Sequence, residues 1–365
     1  MLSWISDSKR VQIVKKEKKV IKWNQCGLWP GDPVYDDISR MFLNNLTDEF
    51  EFVISDEPDY LFVSCKEDFK FLKYNCIRIF HSDENIHPDF HLFDYVVGYP
   101  NNLIFGDRYC HCLPCLENIE YLQKEDCSYS FANFKKQTVD DLKNRTYFCD
   151  FVYHHDSGTK RSKYFDLLNS YKTVSSLGDV FKSINKDNVA KVTYLEKLAF
   201  ERKCKFSICI ESCDNSKGLV TEKIFHSLLA GSIPIYLGDE SVNSIVNPKR
   251  FINIRDFESD EELLKRIIEI DNNDDLFLKI VNEQPLIDMN YFTNSRKRLD
   301  SFMKNIFNQA SGGGYRRPKT ERYWNERLNT SLSVLQPDFV NGLKKKKENV
   351  FIRGLRKIIR IIKKR

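Results

Sequence analysis

Short apolar runs that alternate with helical stretches are the feature that most constrains how this chain folds. In its N-terminal part, runs typical of strands lie at 20–23, 50–54, 60–64, 76–80 and 95–97. A helix-like stretch at 36–45 separates the first two of them. Alternating strands and helices favour a parallel sheet that is covered by helices.

A second set of alternating elements begins near residue 147. Its strand-like runs lie at 147–153, 173–176, 206–210, 233–236 and 251–254, and its helical stretches at 159–171, 194–202, 221–230, 260–270 and 293–308. Two such sets in tandem predict an α/β protein with two Rossmann-like domains that face a cleft, where ligands bind beyond the carboxyl ends of the strands. We place the domains at 1–144 and 145–310, followed by a glycine-containing linker and a basic tail at 311–365.

The positive charge of the chain is concentrated at its end. The chain carries a net charge of +5, yet residues 344–365 contain eleven Lys or Arg and one Glu, so the remainder is mildly acidic. An acidic body argues against a basic nucleic-acid-binding fold. Apolar residues recur in the tail at helical spacing, which predicts an amphipathic helix on an anionic membrane surface. A solvated helix or a basic tail that docks on the protein itself is the alternative.

Cysteine usage and hydropathy bear on the compartment. The eleven cysteines are odd in number and follow no repeating framework, which favours a reducing compartment over disulfides. The first residues do not resemble a signal peptide, and no apolar run reaches the ~18 residues of a membrane span. We therefore expect a cytoplasmic protein that associates peripherally with the inner face of the membrane.

The segment 206–224 carries the clearest chemical pattern. A strand ends near residue 210, a polar loop containing Gly218 follows, and a helix begins around Thr221, a good N-cap residue. The first turn of such a helix can hold a diphosphate, because its N–H groups and dipole attract anions. Lys223 adds a positive charge, and Glu222 can accept hydrogen bonds from sugar hydroxyls. On local chemistry alone, a capped helix with a solvated Glu-Lys pair remains the alternative.

Several motifs, taken together, resemble those of one enzyme family. The segment VTEKIF at 220–225 is followed by IPIYLGD at 233–239 and NPKRFINI at 247–254. Upstream, HSDEN at 81–85, PDFHLFDYVVG at 88–98, DRY at 107–109 and RSKYFD at 161–166 come in the same order as in that family. This succession resembles the α-1,3-fucosyltransferases, bacterial members above all, over about residues 75–310.

The resemblance implies a two-domain GT-B fold and an inverting transfer of L-fucose from GDP-fucose, a co-substrate, with no tightly bound cofactor and no metal. It implies an acceptor of the lactosamine type, fucosylated at the 3-hydroxyl of N-acetylglucosamine, in a surface polysaccharide or lipopolysaccharide. Glu84 matches the general base, Arg161 and Lys223 the diphosphate contacts, and Glu222 the donor-binding glutamate. Other residues assigned to the donor site are Ser212, Asn215 and Thr221.

This sequence departs from the family pattern at three positions near the donor. Leu219 replaces a tyrosine, Ser212 replaces an asparagine for which Asn215 can substitute, and Leu237 replaces a tryptophan. These changes leave open a transferase of the same fold with another donor or acceptor. A catalytically silent glycan-binding protein is a further alternative, against which the presence of Glu84, Arg161 and Lys223 counts.

Three clusters resemble metal sites but are assigned otherwise. Cys110, Cys112 and Cys115 do not have a usual zinc spacing, so we expect them to pack in the core. The sequence His154-His155-Asp156 is interpreted as a polar loop. The run 271–275, rich in Asp and Asn, lies between two helical stretches and is interpreted as a solvated turn.

Overall fold

The structure is a computed structural model of the chain. It describes residues 17–28, 31–65, 70–82, 84–153, 160–177, 192–213, 215–310 and 313–317. The predicted membrane-binding tail at 344–365 and the polar residues 154–156 lie outside these ranges. No helix within them combines the length and the apolar character needed to cross a membrane.

In the described part of the chain, the first sheet has six strands in the order β2-β1-β3-β4-β5-β6, and every pairing is parallel. The strands are β1 Lys19–Cys26, β2 Phe50–Ile54, β3 Tyr60–Val63, β4 Ile77–His81, β5 Tyr95–Gly98 and β6 Tyr109–His111. The sequence predicts the first five, but not β6, which has three residues and no β-branched side chain to signal a strand.

The second sheet, again among the described residues, has five parallel strands in the order β11-β10-β9-β7-β8. These are β7 Tyr147–Asp150, β8 Val174–Ser175, β9 Cys204–Ile210, β10 Ile233–Leu237 and β11 Ile252–Asn253. The long central strand β9 is almost entirely buried. Two tandem parallel sheets confirm the predicted α/β class.

Helices cover both sheets. They are α1 Leu116–Glu125, α2 Val139–Leu142, α3 Arg161–Asn169, α4 Tyr194–Glu201, α5 Glu222–Ala230, α6 Asp260–Asp271, α7 Asp274–Val281 and α8 Tyr291–Asn308. The sequence analysis does not predict α1, α2 or α7. The predicted helix at 36–45 is instead a short π-helical turn, Ser39–Leu43, followed by a 3-10 turn, Asn44–Leu46.

Helix α8 packs against the first sheet, although it follows the second sheet in the chain. The ring of Phe307 lies 5.0 Å from that of Tyr60 and 5.5 Å from that of Phe50, between centroids. Arg296 donates a hydrogen bond to Glu120 of α1 at 2.8 Å. The assignment of 145–310 to one domain is a prediction from chain order, and chain order does not show where the last helix packs.

Residues 313–317 are also attached to the first sheet. Asp94, which is fully buried just before β5, accepts backbone N–H bonds from Arg78, Arg316 and Arg317, each at 2.9 Å. The guanidinium of Arg317 forms an ion pair with the same carboxylate and donates to Cys76 O at 2.8 Å. The described part of the predicted linker is therefore held in place by a buried charge.

We expect Asp94→Ala to destabilise the protein by about 3–5 kcal/mol, because it leaves the Arg317 charge buried without its partner. The free energy of unfolding in urea measures this. Asp107→Ala is the matched control, since Asp107 pairs with the neighbouring Arg316 but is half exposed. Removing that surface pair should cost about 1 kcal/mol or less. Equal losses from the two variants would contradict the assignment.

Candidate active site

A buried carboxylate organises the loop between β9 and α5. Glu211 directly follows β9 and is 2% exposed. Its two oxygens accept hydrogen bonds from the backbone N–H of Thr221 at 2.8 Å and from the Thr221 hydroxyl at 2.7 Å. These bonds hold the start of α5 beside the carboxyl end of β9, the edge where parallel sheets bind ligands.

Thr221 occupies the N-cap position, as predicted, but its side chain does not cap the helix. The hydroxyl donates to Glu211 instead, and it accepts a hydrogen bond from the Lys223 ammonium at 2.9 Å. The Thr221 side chain therefore does not occupy the first-turn N–H groups of α5. A helix start of this kind offers donors and a positive dipole end to an anion.

Lys223 and Glu222 form a charged pair at the first turn of α5. The Lys223 ammonium lies 3.4 Å from a carboxylate oxygen of Glu222 and 3.4 Å from one of Glu211. Burial disfavours its charge, but these two carboxylates outweigh burial and raise the pKa of Lys223. Burial also works against ionisation of Glu222, yet Lys223 and Lys197 hold the pKa of Glu222 at about 2. Both residues are therefore charged at neutral pH, and Lys223 is only 18% exposed, so the pair is not simply solvated.

Arg161, the first residue of α3, brings a second positive charge to the same edge. It is 6% exposed, and its Nε and Nη2 both donate to the carbonyl of Ile210, the last residue of β9, at 3.3 Å. Its guanidinium lies 4.3 Å from the ring centroid of Tyr153. The charge of Arg161 is close enough to oppose the ionisation of Lys223, although the neighbouring carboxylates keep the pKa of Lys223 raised overall. The structure thus brings together Arg161, Thr221, Glu222 and Lys223.

A small polar pocket lies behind Lys223. Its lining includes Lys223 together with Asp150, Tyr153, Lys197 and Glu201. The Lys197 ammonium lies 3.5 Å from the Glu201 carboxylate, and Ser207 donates to Asp150 at 2.8 Å. Burial raises the pKa of Glu201 to about 7, and burial together with Glu201 raises that of Asp150. The pocket therefore retains a proton on its carboxyl groups at pH values where exposed acids have lost theirs.

Sequence reasoning missed Glu211, Lys197, Glu201 and Asp150. An acidic residue directly after an apolar strand, as Glu211 follows β9, is a usable signal for a ligand edge. Lys197 and Glu201 have the i, i+4 spacing of a helical ion pair, which is usually a surface feature. Here the carboxyl group of Glu201 is buried instead.

Glu84 lies on the other unit, in the loop after β4. The hydroxyl of Ser82 accepts the Glu84 N–H at 3.1 Å and donates to the Glu84 carbonyl at the same distance. The Ile86 N–H also donates to the Glu84 carbonyl, at 2.7 Å. The loop backbone is therefore ordered around Glu84. The residue itself is exposed.

The loop between β9 and α5 reaches across to the Glu84 loop. Ser212 and Asn215, two predicted donor-site residues, are exposed on this loop. Ser216, the next residue, forms hydrogen bonds with Asn85 and Tyr99 of the first unit. Glu84 is thus adjacent in the chain to Asn85, which contacts the loop between β9 and α5.

The clusters that resemble metal sites serve other purposes where the structure describes them. Cys110, Cys112 and Cys115 are buried in the core, as expected. Asp271 is buried and lies 3.0 Å from the Lys172 ammonium and 3.3 Å from that of Lys205, so the solvated turn predicted there is wrong for this residue. Within the described ranges, no three His, Cys, Asp or Glu side chains converge in a way that could hold a metal ion.

Two family models match this chain. Residues 142–303 match "Glycosyltransferase family 10 (fucosyltransferase) C-term", and residues 28–115 match "Alpha-(1,3)-fucosyltransferase FucT N-terminal domain". The two matched ranges together cover more than half of the 365 residues. The first contains Arg161 and Lys223, and the second contains Glu84.

Named relatives point the same way but are aligned over part of their length. The chain is 28% identical to alpha-(1,3)-fucosyltransferase FucT of Helicobacter pylori over 65% of this chain and 54% of that protein. It is 30% identical to a mouse 4-galactosyl-N-acetylglucosaminide 3-alpha-L-fucosyltransferase over 33% of this chain and 32% of the mouse protein. The chain therefore spans only about half, or less, of the relatives it matches.

Solved structures share the fold. A crystal structure of an alpha1,3-fucosyltransferase gives a TM-score of 0.67 at 23% identity, covering 84% of this chain and 95% of that one. A second, solved with GDP-fucose, gives 0.63 at 20% identity, covering 85% and 95%. These similarities identify the GT-B arrangement of the two sheets. With two family models matching over most of both units, the chain belongs to glycosyltransferase family 10, the fucosyltransferases.

Proposed function

We propose that this protein is an inverting glycosyltransferase that moves L-fucose from GDP-fucose to the 3-hydroxyl of N-acetylglucosamine in a lactosamine-type glycan. The observation that carries the proposal is the convergence of Arg161, Lys223 and Glu222 at the carboxyl end of β9. A surface polysaccharide or lipopolysaccharide is the natural setting that we propose for this acceptor.

The donor side of the site suits a sugar diphosphate. Arg161 and Lys223 supply two positive charges, and the start of α5 supplies N–H donors for phosphate oxygens. An ionised Glu222 can accept hydrogen bonds from donor hydroxyls. Since Lys223 is paired with Glu211 and Glu222, it is held in place before the donor binds. Such preorganised charge stabilises a departing diphosphate in the transition state.

We assign Glu84 as the general base on the acceptor side. The acceptor oxygen forms a bond to the anomeric carbon of fucose while its proton passes to the Glu84 carboxylate. The bond between the anomeric carbon and the diphosphate oxygen breaks, and GDP leaves with the electron pair next to Arg161 and Lys223. A single displacement of this kind turns β-linked fucose into an α-linked product. The exposure of Glu84 leaves it accessible to an acceptor glycan.

The names of relatives support the donor and the acceptor. The Helicobacter pylori relative is named an alpha-(1,3)-fucosyltransferase, and one similar solved structure contains GDP-fucose. The mouse relative is named for transfer to a 4-galactosyl-N-acetylglucosaminide. A different nucleotide sugar is the second candidate, because Leu219 and Leu237 are apolar and buried at positions where the family pattern has Tyr and Trp.

We expect GDP to raise the thermal unfolding temperature of the protein more than UDP does, and GDP-fucose with N-acetyllactosamine to give a fucosylated product. Lys223→Met should weaken GDP binding about 10- to 100-fold, the usual range for a lost charge-assisted hydrogen bond. Titration calorimetry measures this, with Lys249→Met, an exposed lysine of the same unit, as the control. Equal stabilisation by GDP and UDP, or turnover of another nucleotide sugar alone, would refute the donor assignment.

The general base assignment predicts that Glu84→Gln lowers kcat for transfer by about 10²- to 10⁴-fold, since glutamine cannot take the acceptor proton. Donor affinity should change little, because Glu84 lies on the acceptor side. Initial rates with saturating GDP-fucose and a GDP titration test both statements. Glu125→Gln, an exposed glutamate at the end of α1, is the matched control. Near-normal turnover of Glu84→Gln would remove Glu84 from the mechanism.

We also propose that residues 344–365 hold the protein on an anionic membrane surface at the cytoplasmic face. Each basic residue near such a surface contributes about 1 kcal/mol before screening, and this segment contains eleven. The full chain should sediment with vesicles containing phosphatidylserine at low salt and be released by high salt, but not sediment with neutral vesicles. Deleting 344–365 should abolish binding and keep activity on a soluble acceptor. Loss of that activity would instead assign the tail a structural role.

A further inference from the structure

Three polar side chains meet in a triangle between the two units, in which two hydroxyl groups share one amide oxygen as acceptor. The Tyr99 hydroxyl, after β5, donates to the amide oxygen of Asn85 at 2.8 Å and lies 3.1 Å from the hydroxyl oxygen of Ser216. Ser216, on the loop between β9 and α5, also donates to Asn85. Two corners of the triangle are therefore on the acceptor side, and the third is on the donor side.

The triangle is sequestered from solvent at its centre. Tyr99 is fully buried and Ser216 is 7% exposed, while Asn85 is exposed. Buried hydroxyl groups are costly unless they are hydrogen-bonded. The Tyr99 and Ser216 hydroxyls therefore depend on the amide oxygen of Asn85 as their acceptor. The contact therefore favours one relative placement of the two loops.

The backbones of the two units also meet closely beside the triangle. Gly218 has φ of +84°, and a Cβ placed there would come within 2.8 Å of the Asn101 N and closer still to the Tyr99 carbonyl oxygen. A left-handed backbone conformation and this proximity both require glycine. The loop before α5 is thus packed directly on the segment that contains Tyr99.

The triangle adjoins residues to which we assign the reaction. Asn85 follows Glu84 in the chain, and Ser216 follows Asn215. The backbone of Glu84 is held on its other side by Ser82. We propose that Tyr99 is a positioning residue, whose hydroxyl, through Asn85 and Ser216, fixes the Glu84 loop at its working distance from the donor loop. This inference rests on the proposed function, because it assigns to Glu84 the role of base.

Positioning of this kind affects the rate more than donor affinity. A general base must lie within hydrogen-bond reach of the proton that it takes, and an error of about 1 Å can cost about 10²-fold in rate. The groups that hold the diphosphate, Arg161 and Lys223, are anchored on Ile210 and Glu211, outside the triangle. Loosening the triangle should therefore leave the donor bound but the base misplaced.

The experiment compares Tyr99→Phe and Ser216→Ala with the wild-type chain. Each should lower kcat for transfer about 10- to 100-fold, while the KM for the donor and the Kd for GDP change by no more than about twofold. Tyr171→Phe is the matched control, since it removes a hydroxyl bonded to Asp271 at 3.1 Å on the outside of the second unit. Tyr171→Phe should change neither kcat nor the affinity for the donor and GDP. If Tyr99→Phe does not fold, Ser216→Ala carries the comparison alone.

A double-mutant cycle with Glu84→Gln separates positioning from general stability. If the triangle acts through Glu84, adding Tyr99→Phe to Glu84→Gln should cost little further rate. Three results would each overturn the proposal. They are full additivity of the two rate losses, normal kcat in both single variants, and a rate loss matched by a loss of GDP binding.

The measurements use whichever nucleotide sugar the wild-type protein turns over. A wrong donor therefore refutes the proposed function without removing the test of Tyr99. A wild-type chain that turns over none of the nucleotide sugars refutes both.

Discussion

The hydrogen bonds that Glu211 accepts from Thr221 are the interaction on which the candidate site depends. A buried carboxylate must be compensated by donors or cations. Thr221 and Lys223 provide these, and both lie at the start of α5. One charge at the end of β9 therefore determines where the helix begins, which way its first turn faces and where the Lys223 ammonium is held.

The Glu211 carboxylate can fix the start of α5 because positive and negative side chains alternate around it. Arg161 is bonded to the carbonyl of Ile210, one residue before Glu211, so its position follows from that of β9. Glu222 then stands between Lys223 and Lys197, whose charges keep it ionised. The cations and carboxylates alternate, which allows a dense charge cluster to exist in a partly buried place.

Most of the fold can be predicted from the sequence, because the strands are short apolar runs between clear helical stretches. The prediction fails where that signal is weak. Strand β6 has only three residues, and α1 begins in a segment whose residues are mostly polar. Hydrophobic periodicity also predicts a helix or a strand but not the element that it packs against. The packing of α8 on the first sheet therefore cannot be predicted from the order of the elements in the chain. In the candidate site, Arg161, Thr221, Glu222 and Lys223 do lie together, and the motif resemblance supplied that grouping. Glu211, Tyr99 and Ser216 were missed because their importance comes from contacts between distant segments.

The return of α8 to the first sheet determines where two family members could be joined in a chimera. A recombination joint near residue 145 would separate the two sheets but would place α8 of one parent on a foreign sheet. Phe307 would then pack against side chains from the other parent, in place of Tyr60 and Phe50. A chimera that keeps this packing needs a second joint before Tyr291, so that the last helix and the first sheet come from the same parent. The segments that must be exchanged together are therefore discontinuous in the chain.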